Sequence, residues 1–467
     1  MFKFGGSILS IVLLFVGAST TVQASSTPDW FPFPPAHAPA PPPFDPFKIC
    51  TLFPLGHGRD DTDQVLKAIQ KCGQSGRTIF LPGEYNITRK MTWNLENSVV
   101  DLFGFLNFEP NIDFWMQANN TYRVVFIQSQ ASWFVLTGKN FVVDAHKLGG
   151  IHGNGQPWWE HFQTVPRADG DGRPLALTLF NVTGGTVRNF HIESPPFWCN
   201  AVSQSTNVIY DGMKCNATNT NATFAGKNIV PNTDGIDTYR STNVQLLNWD
   251  VTCGDDCLAI KGNSSNILAK NIVCRGGNGI AFGSLGQYVQ FNDIVENVVM
   301  DNLLLTRLDP SVQPNMVSGV YFKSWTGTSN GLPPTAGGGG GGFVKNVTLR
   351  NVVLDRVDRP TRLYQTNNAK TGDQPSKLQF SDITWINWSG TSTTNRIVDL
   401  ECSTAAPCPN MEFQNFNVPA PSGLAPMFIC QNVVNESGLP GAYFFFSFLI
   451  PFWSPQPPLR PILYLSI

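Results

Sequence analysis

Five stretches in the middle of the chain repeat one pattern. "GTVRNFHIES", "TNVIYDGMKC", "TNVQLLNWDVTC", "SNILAKNIVC" and "ENVVMDNLLL" share a polar residue, often Asn, then an apolar pair, then a second Asn or Asp and more apolar residues. Val187, Val208, Val244, Ile267 and Val298 mark the repeats. The steps from Val187 to Val208 and from Val244 to Ile267 are short and nearly equal, and the other two are longer. A short basic interval, lengthened in places by loop insertions, predicts an all-β solenoid: a parallel β-helix whose coils each contribute short strands and stack on the last. An all-β sandwich would bring strands back every ~8–12 residues. Recurrent Asn fits the solenoid better, because equivalent corners recur once per coil and Asn tolerates left-handed backbone there.

Helical periodicity is confined to one place. "RDDTDQVLKAIQKC" offers Asp61 or Thr62 as an N-cap and Val65, Leu66 and Ile69 at helical spacing, a short amphipathic helix that would cap the open end of the stack. Before it, residues 25–48 are too rich in proline to join a sheet and read as an extended leader. The solenoid domain is expected over 49–440. Within it, residues 307–344 break the pattern with Gly and Pro, predicting loops, the glycine-rich one mobile. The stretch 441–467 is an atypical hydrophobic tail; Tyr443 to Ile450 is too short to span a bilayer before Pro451 interrupts it.

Net charge is -2, with 31 basic and 33 acidic residues and no long run of either sign, so neither nucleic acid nor an anionic membrane has electrostatic support as a partner. The stretch 1–24, with Lys3, an apolar core from Ile8 to Val16 and small residues around Ala24, reads as a secretory signal peptide. Export to an extracellular, oxidising compartment agrees with ten cysteines, an even count that favours disulfides, and the close pairs lack histidines at zinc-like spacing. No metal or other cofactor is expected. By proximity Cys50 pairs with Cys72, Cys199 with Cys215 and Cys402 with Cys408. Asn86, Asn119, Asn181, Asn216, Asn221, Asn263, Asn346, Asn387 and Asn435 each begin a glycosylation triplet, which also fits export.

The chemistry concentrates at three acids in a chain that is only 14% charged: Asp234 in "PNTDGIDTYR", and Asp255 and Asp256 in "CGDDCLAIK". Asp234 precedes Asp255, and Asp256 precedes Asn278, by one basic interval, a single coil in each case, so the carboxylates gather on one face. Lys261 and Lys323 are the cations that could approach. Clustered carboxylates repel, which raises one pKa and supplies the asymmetry glycoside hydrolysis needs, one carboxyl protonated and another ionised. Calcium binding is the rival functional reading. Trp158, Trp159 and Trp325 could stack on sugars, though the first two read better as core.

"NTDGID", "GDDC", "GGNGIAFGSLG" and "YFKSW", in this order, resemble the signature blocks of glycoside hydrolase family 28, the polygalacturonases and rhamnogalacturonases, and "GIHGNGQPWWE" resembles a further family segment. The resemblance, closest to exo-acting fungal-type members, implies a right-handed, single-stranded parallel β-helix with an open cleft, acting by inversion without a cofactor on pectic poly- or oligosaccharide, as a monomer. Matched residue by residue, Asp255 is the proton donor, Asp234 and Asp256 activate water, Asn232 lies beside them and is expected to bind substrate, Lys323 contacts a substrate carboxylate, and Cys257 bonds Cys274. Closing that loop would contribute about 3 kcal/mol. Cys253 and Cys430 are left without an assigned partner.

Two positions depart from the family pattern. Asn278 stands where the family histidine is usual, and Tyr321 where an arginine is usual, exchanging a cation that grips a uronate for an aromatic face suited to a neutral sugar. The departures shift expectation toward exo-action on a terminal galacturonate or rhamnose, with the loops between Arg307 and Phe343 closing one end of the cleft. The readings are a secreted galacturan 1,4-alpha-galacturonidase or exopolygalacturonase, an alpha-L-rhamnosidase or exo-rhamnogalacturonan hydrolase, and, in another class, an inactive pectin-binding protein.

Overall fold

The computed structural model describes residues 41–165, 172–441 and 443–445. The signal-peptide reading, most of the leader and most of the hydrophobic tail lie outside the described residues. Among the described residues twenty-seven strands form one sheet wound through 333°, with parallel pairing between successive coils: a parallel β-helix. Val208, Val244, Ile267, Val298, Val347, Ile383 and Met411 stack in register as one buried apolar column. Each such side chain contributes about 1.5–3 kcal/mol by leaving water. The first repeat mark needs correction. Val187 pairs with Tyr210 rather than Val208, so that coil is as long as the one from Val244 to Ile267, and the shorter apparent step came from a mark two positions out of register.

The corners hold the recurrent asparagines. Asn243, Asn266, Asn297 and Asn346 sit at φ between +54° and +58°, and each donates its amide to the Asn one coil earlier, at 2.8–3.0 Å, the series ending on Asn207. The amide tolerates left-handed backbone and also ties coil to coil.

The helix Thr62–Cys72 buries Val65 and Ile69 against the strands Ile49–Leu52 and Met91–Leu102, and the Cys50–Cys72 disulfide fastens it. The leader's last residues dock on this first coil, with Asp45 N–H donating to Ser75 O at 2.8 Å. A second helix, Gly155–Thr164, was not foreseen; its Gly and Pro obscured the apolar spacing of Trp158, Trp159 and Phe162, all of which are buried. Trp325 is buried as well.

The glycine run is held in place. Gly338 N–H donates to Gln287 O and Gly339 N–H to Thr326 O, both at 2.8 Å, and Gly342 leads into register with Asp293. A Cβ on Gly342 would lie 2.0 Å from Asp293 O, which is why glycine is needed there. At the other end Tyr443–Phe445 pairs with Ile429–Gln431, so the β-helix continues past residue 440.

Candidate active site

The strands Ile236–Tyr239, Asp256–Ile260, Gly279–Leu285, Ser318–Trp325 and Arg359–Asn367 lie side by side on one wall of the helix. Strand alternation sends Leu258 and Ile260 into the main core, while Ala259, Ala281 and Tyr321 form a separate cluster on the outward face, with Tyr364 packed against it. The acids enter this outward face from the turns before the strands. Gly235 N–H bonds Asp256 O at 2.9 Å, which sets Asp234 beside Asp256. A register shift between Asp256 and Leu258 places Asp256 opposite Gly279, and Asn278 therefore meets Asp255 rather than Asp256. Gly277 (φ +74°) makes this approach feasible, since a Cβ there would lie 2.1 Å from Asp255 O.

Oxygens of Asp234, Asp255 and Asp256 lie within 4.8 Å of one another. Asp255 is the partly exposed member, and Asp234 and Asp256 are buried. Asp255 accepts from Asn278 Nδ2 at 2.8 Å through Oδ1, and from Asn232 N at 3.0 Å and Asn232 Nδ2 at 3.4 Å through Oδ2. Asp256 accepts from the Tyr321 hydroxyl, and its other oxygen lies 3.7 Å from Lys323 Nζ. Lys323 also donates to the Tyr321 oxygen at 3.2 Å. Burial pushes the Asp234 carboxyl well above the usual range, and the charges of Asp237, Asp255 and Asp256 add to the push. Burial raises Asp256 too, against the pull of Lys323. The three carboxylates could chelate a hard cation, but donors already occupy oxygens of Asp255 and Asp256.

Residues 90–438 match the family model described as glycosyl hydrolases family 28. The chain belongs to that family. It is 40% identical over 415 residues, 84% of this chain and 92% of the other, to the Aspergillus niger protein named "Putative galacturan 1,4-alpha-galacturonidase A". It is 32% identical over 395 residues to an exopolygalacturonase of Cochliobolus carbonum, covering 82% of this chain and 84% of that one. Among solved structures it is similar to an endo-xylogalacturonan hydrolase from Aspergillus tubingensis, with a TM-score of 0.69, 21% identity, and coverage of 85% of this chain and 100% of that one, a likeness in fold.

Within this family 28 chain, two expected roles change. Tyr321 is only 5% exposed, and its hydroxyl is committed to Asp256, so it offers no aromatic face to a sugar. Asn232, expected to touch substrate, donates its amide to Asp255 and accepts at Oδ1 from Arg173 Nη2 at 3.0 Å, and so positions Asp255. Arg173 was invisible in the sequence. It is fully buried, donates to Pro196 O and Pro231 O at 3.1 and 3.0 Å, and lies over the Phe197 ring. Lys261, expected as a cation that could approach, forms a buried ion pair at 2.9 Å with Asp237, a residue not singled out in the sequence, beside Asp234, and Lys261 Nζ lies 5.0 Å from the Trp198 ring centroid.

The disulfides Cys50–Cys72, Cys199–Cys215, Cys257–Cys274 and Cys402–Cys408 are formed, and the Cys257–Cys274 bond joins the Asp256 coil to the next one. Cys253 and Cys430 are free, buried thiols.

Beyond Lys261 the outward face is walled. Gln128 N–H donates to the Tyr288 hydroxyl at 2.7 Å, and Gln287 Nε2 holds Pro334 O and Ala336 O at 2.9 Å each. A small cavity lined by Gln128, Tyr239, Lys261, Ser284, Gln287 and Asp293 lies at this wall. The loop after Trp325 was expected to close an end; the contribution of the segment around Gln128 was not.

Proposed function

We propose that the protein is a secreted, monomeric, exo-acting hydrolase of the pectin backbone, which removes a terminal galacturonate with inversion. The observation that carries this reading is the triad of carboxylates within 4.8 Å, one reachable from outside and two buried beside Lys323. Asp255, the accessible member, is placed to protonate the leaving glycosidic oxygen, with Asn278 and Asn232 fixing its carboxyl. Asp234 and Asp256 share the water that attacks the anomeric carbon. Two hydrogen bonds of about 2.8 Å to one water span on the order of 4.6 Å at a tetrahedral angle, which fits their separation. Asp255 also lies within 4.8 Å of both, closer than inverting enzymes generally show between acid and base, so the anomer first released is the decisive measurement. Lys323, lying 3.7 Å from Asp256, is available to a substrate carboxylate.

Exo-action is supported by the wall beyond Lys261 and by the names of the relatives. All nine glycosylation asparagines are at least partly exposed, and among the described residues no helix is long and apolar enough to cross a membrane. The neutral-sugar alternative loses its main support, since the Tyr321 ring is covered. The test is to incubate the protein separately with oligogalacturonate and rhamnogalacturonan fragments and identify the first sugar released and its anomer. Galacturonate appearing first, as the inverted anomer, is expected. Mixed oligomers from the first minutes would overturn exo-action, release of rhamnose would move the specificity, and no release from any fragment would favour a binding protein.

A further inference from the structure

The arginine that Tyr321 displaces has a substitute one coil further on. Tyr321 pairs in register with Arg362, and strand alternation turns both toward the outward face, with Tyr364 two residues along. We propose that Arg362 binds a carboxylate of the substrate, on the sugar next to the scissile bond toward the C-terminal end of the stack; this rests on the pectin reading above.

Four observations lead there. The Nε of Arg362 is buried without a hydrogen-bond partner, an arrangement that normally costs stability unless something else supplies the acceptor. Asp399 sits opposite Arg362 on the following coil, yet its Oδ2 is shared by Arg359 at 3.4 Å and Arg396 at 3.3 Å, its Oδ1 is buried without a hydrogen-bond partner, and among the described residues Arg362 makes no ion pair. Three guanidiniums are thus crowded about Asp399, and burial, together with repulsion from Arg362, holds Arg359 below its ordinary value against the pull of Asp399 and Glu401. An anionic ligand relieves this crowding. Finally, the guanidinium lies 4.1 Å from the centroid of the Tyr364 ring, a contact that fixes a planar fork in one orientation for bidentate binding. A move of one coil, about 4.8 Å, is comparable to the step from one sugar to the next. The chain therefore keeps a uronate-gripping arginine and shifts it along the substrate, while Tyr321 takes the vacated place as a hydrogen-bond donor to Asp256.

The experiment compares wild type with R362Q and R362K on trigalacturonate and on its methyl ester, by initial rates at low and high salt. For R362Q, KM on trigalacturonate should rise about 10- to 100-fold, the loss of a charge-assisted bidentate contact, with kcat changed by less than about threefold. KM for the methyl ester should hardly move, so the preference for the free acid collapses, and the salt dependence of KM should weaken. R362K should retain part of the preference as a point charge; if R362Q does not fold, a KM rise in R362K confined to the free acid supports the proposal. An unchanged KM on trigalacturonate, or an equal rise on acid and ester, would overturn it. If wild type releases nothing from trigalacturonate, the pectin reading falls and this inference with it; if wild type is active and R362Q is indistinguishable, only this inference falls.

Discussion

Replacing Asp234 with Asn should stabilise the protein while abolishing its activity. The carboxylate oxygens of Asp234, Asp255 and Asp256 are within 4.8 Å, and at an effective dielectric of about 20 each ionised pair at that distance repels by 332/(20 × 4.8), about 3 to 4 kcal/mol. Lys261 offsets part of this, and protonation limits the rest. Holding an ordinary carboxyl neutral at pH 7 costs at most 1.36 × (7 − 3.9), about 4 kcal/mol, which is the ceiling on the penalty. The sign follows from the direction of the shift. Asp234 binds its proton more tightly in the folded state than in the unfolded one, so the folded state is favoured below the ordinary carboxylate pKa and loses stability as pH rises above it. The D234N amide has nearly the same shape and no charge. It should gain about 1–3 kcal/mol at pH 7 and almost nothing near pH 4, which for a chain of this length is about 1 °C in Tm per kcal/mol. Thermal unfolding of both proteins across that range reads the difference. A gain that persists unchanged near pH 4, or no gain at pH 7, would refute the electrostatic account.

Three further outcomes are expected. Tyr321→Phe removes the hydroxyl donor from buried Asp256 and should lower kcat about 10- to 100-fold with the fold intact by circular dichroism; unchanged kcat would show that Lys323 alone suffices. Asn278→Ala removes the amide from Asp255 Oδ1 and should cut kcat about tenfold with little change in KM; a change in KM alone would assign Asn278 to binding instead. Cys253 is buried, 3.6 Å from Cys257 Sγ, and burial together with the neighbouring acids pushes its thiol up. The native protein should therefore resist iodoacetamide at Cys253 and react only once unfolded; native-state labelling detected by mass spectrometry would contradict this.

The separation between local and long-range information explains what could be read in advance. The apolar column from Val208 to Met411, the corner asparagines and the helix Thr62–Cys72 are legible because each is encoded within one coil and repeated at nearly constant interval. Asp234, Asp255, Asp256, Asn278 and Lys323 were legible through motifs that keep their order along the chain. The Val187 mark failed by two positions because apolar residues two apart on a strand share a face and either can be taken as the mark, and Asn278 was matched to the wrong acid because a register shift of a single position leaves no trace in composition.

The sequence by itself determined that coils would stack, which residues would face inward, and that carboxylates one coil apart would meet. Only the tertiary structure decided their state and their supports. Arg173 reaches Asn232 across 59 residues, Gln128 meets Tyr288 across 160, and Arg362 falls beside Tyr321 because the insertion between them loops out and returns the chain to the next coil. Such contacts depend on where insertions of unequal length return, and on side chains satisfying buried polar atoms, and neither has a period to read.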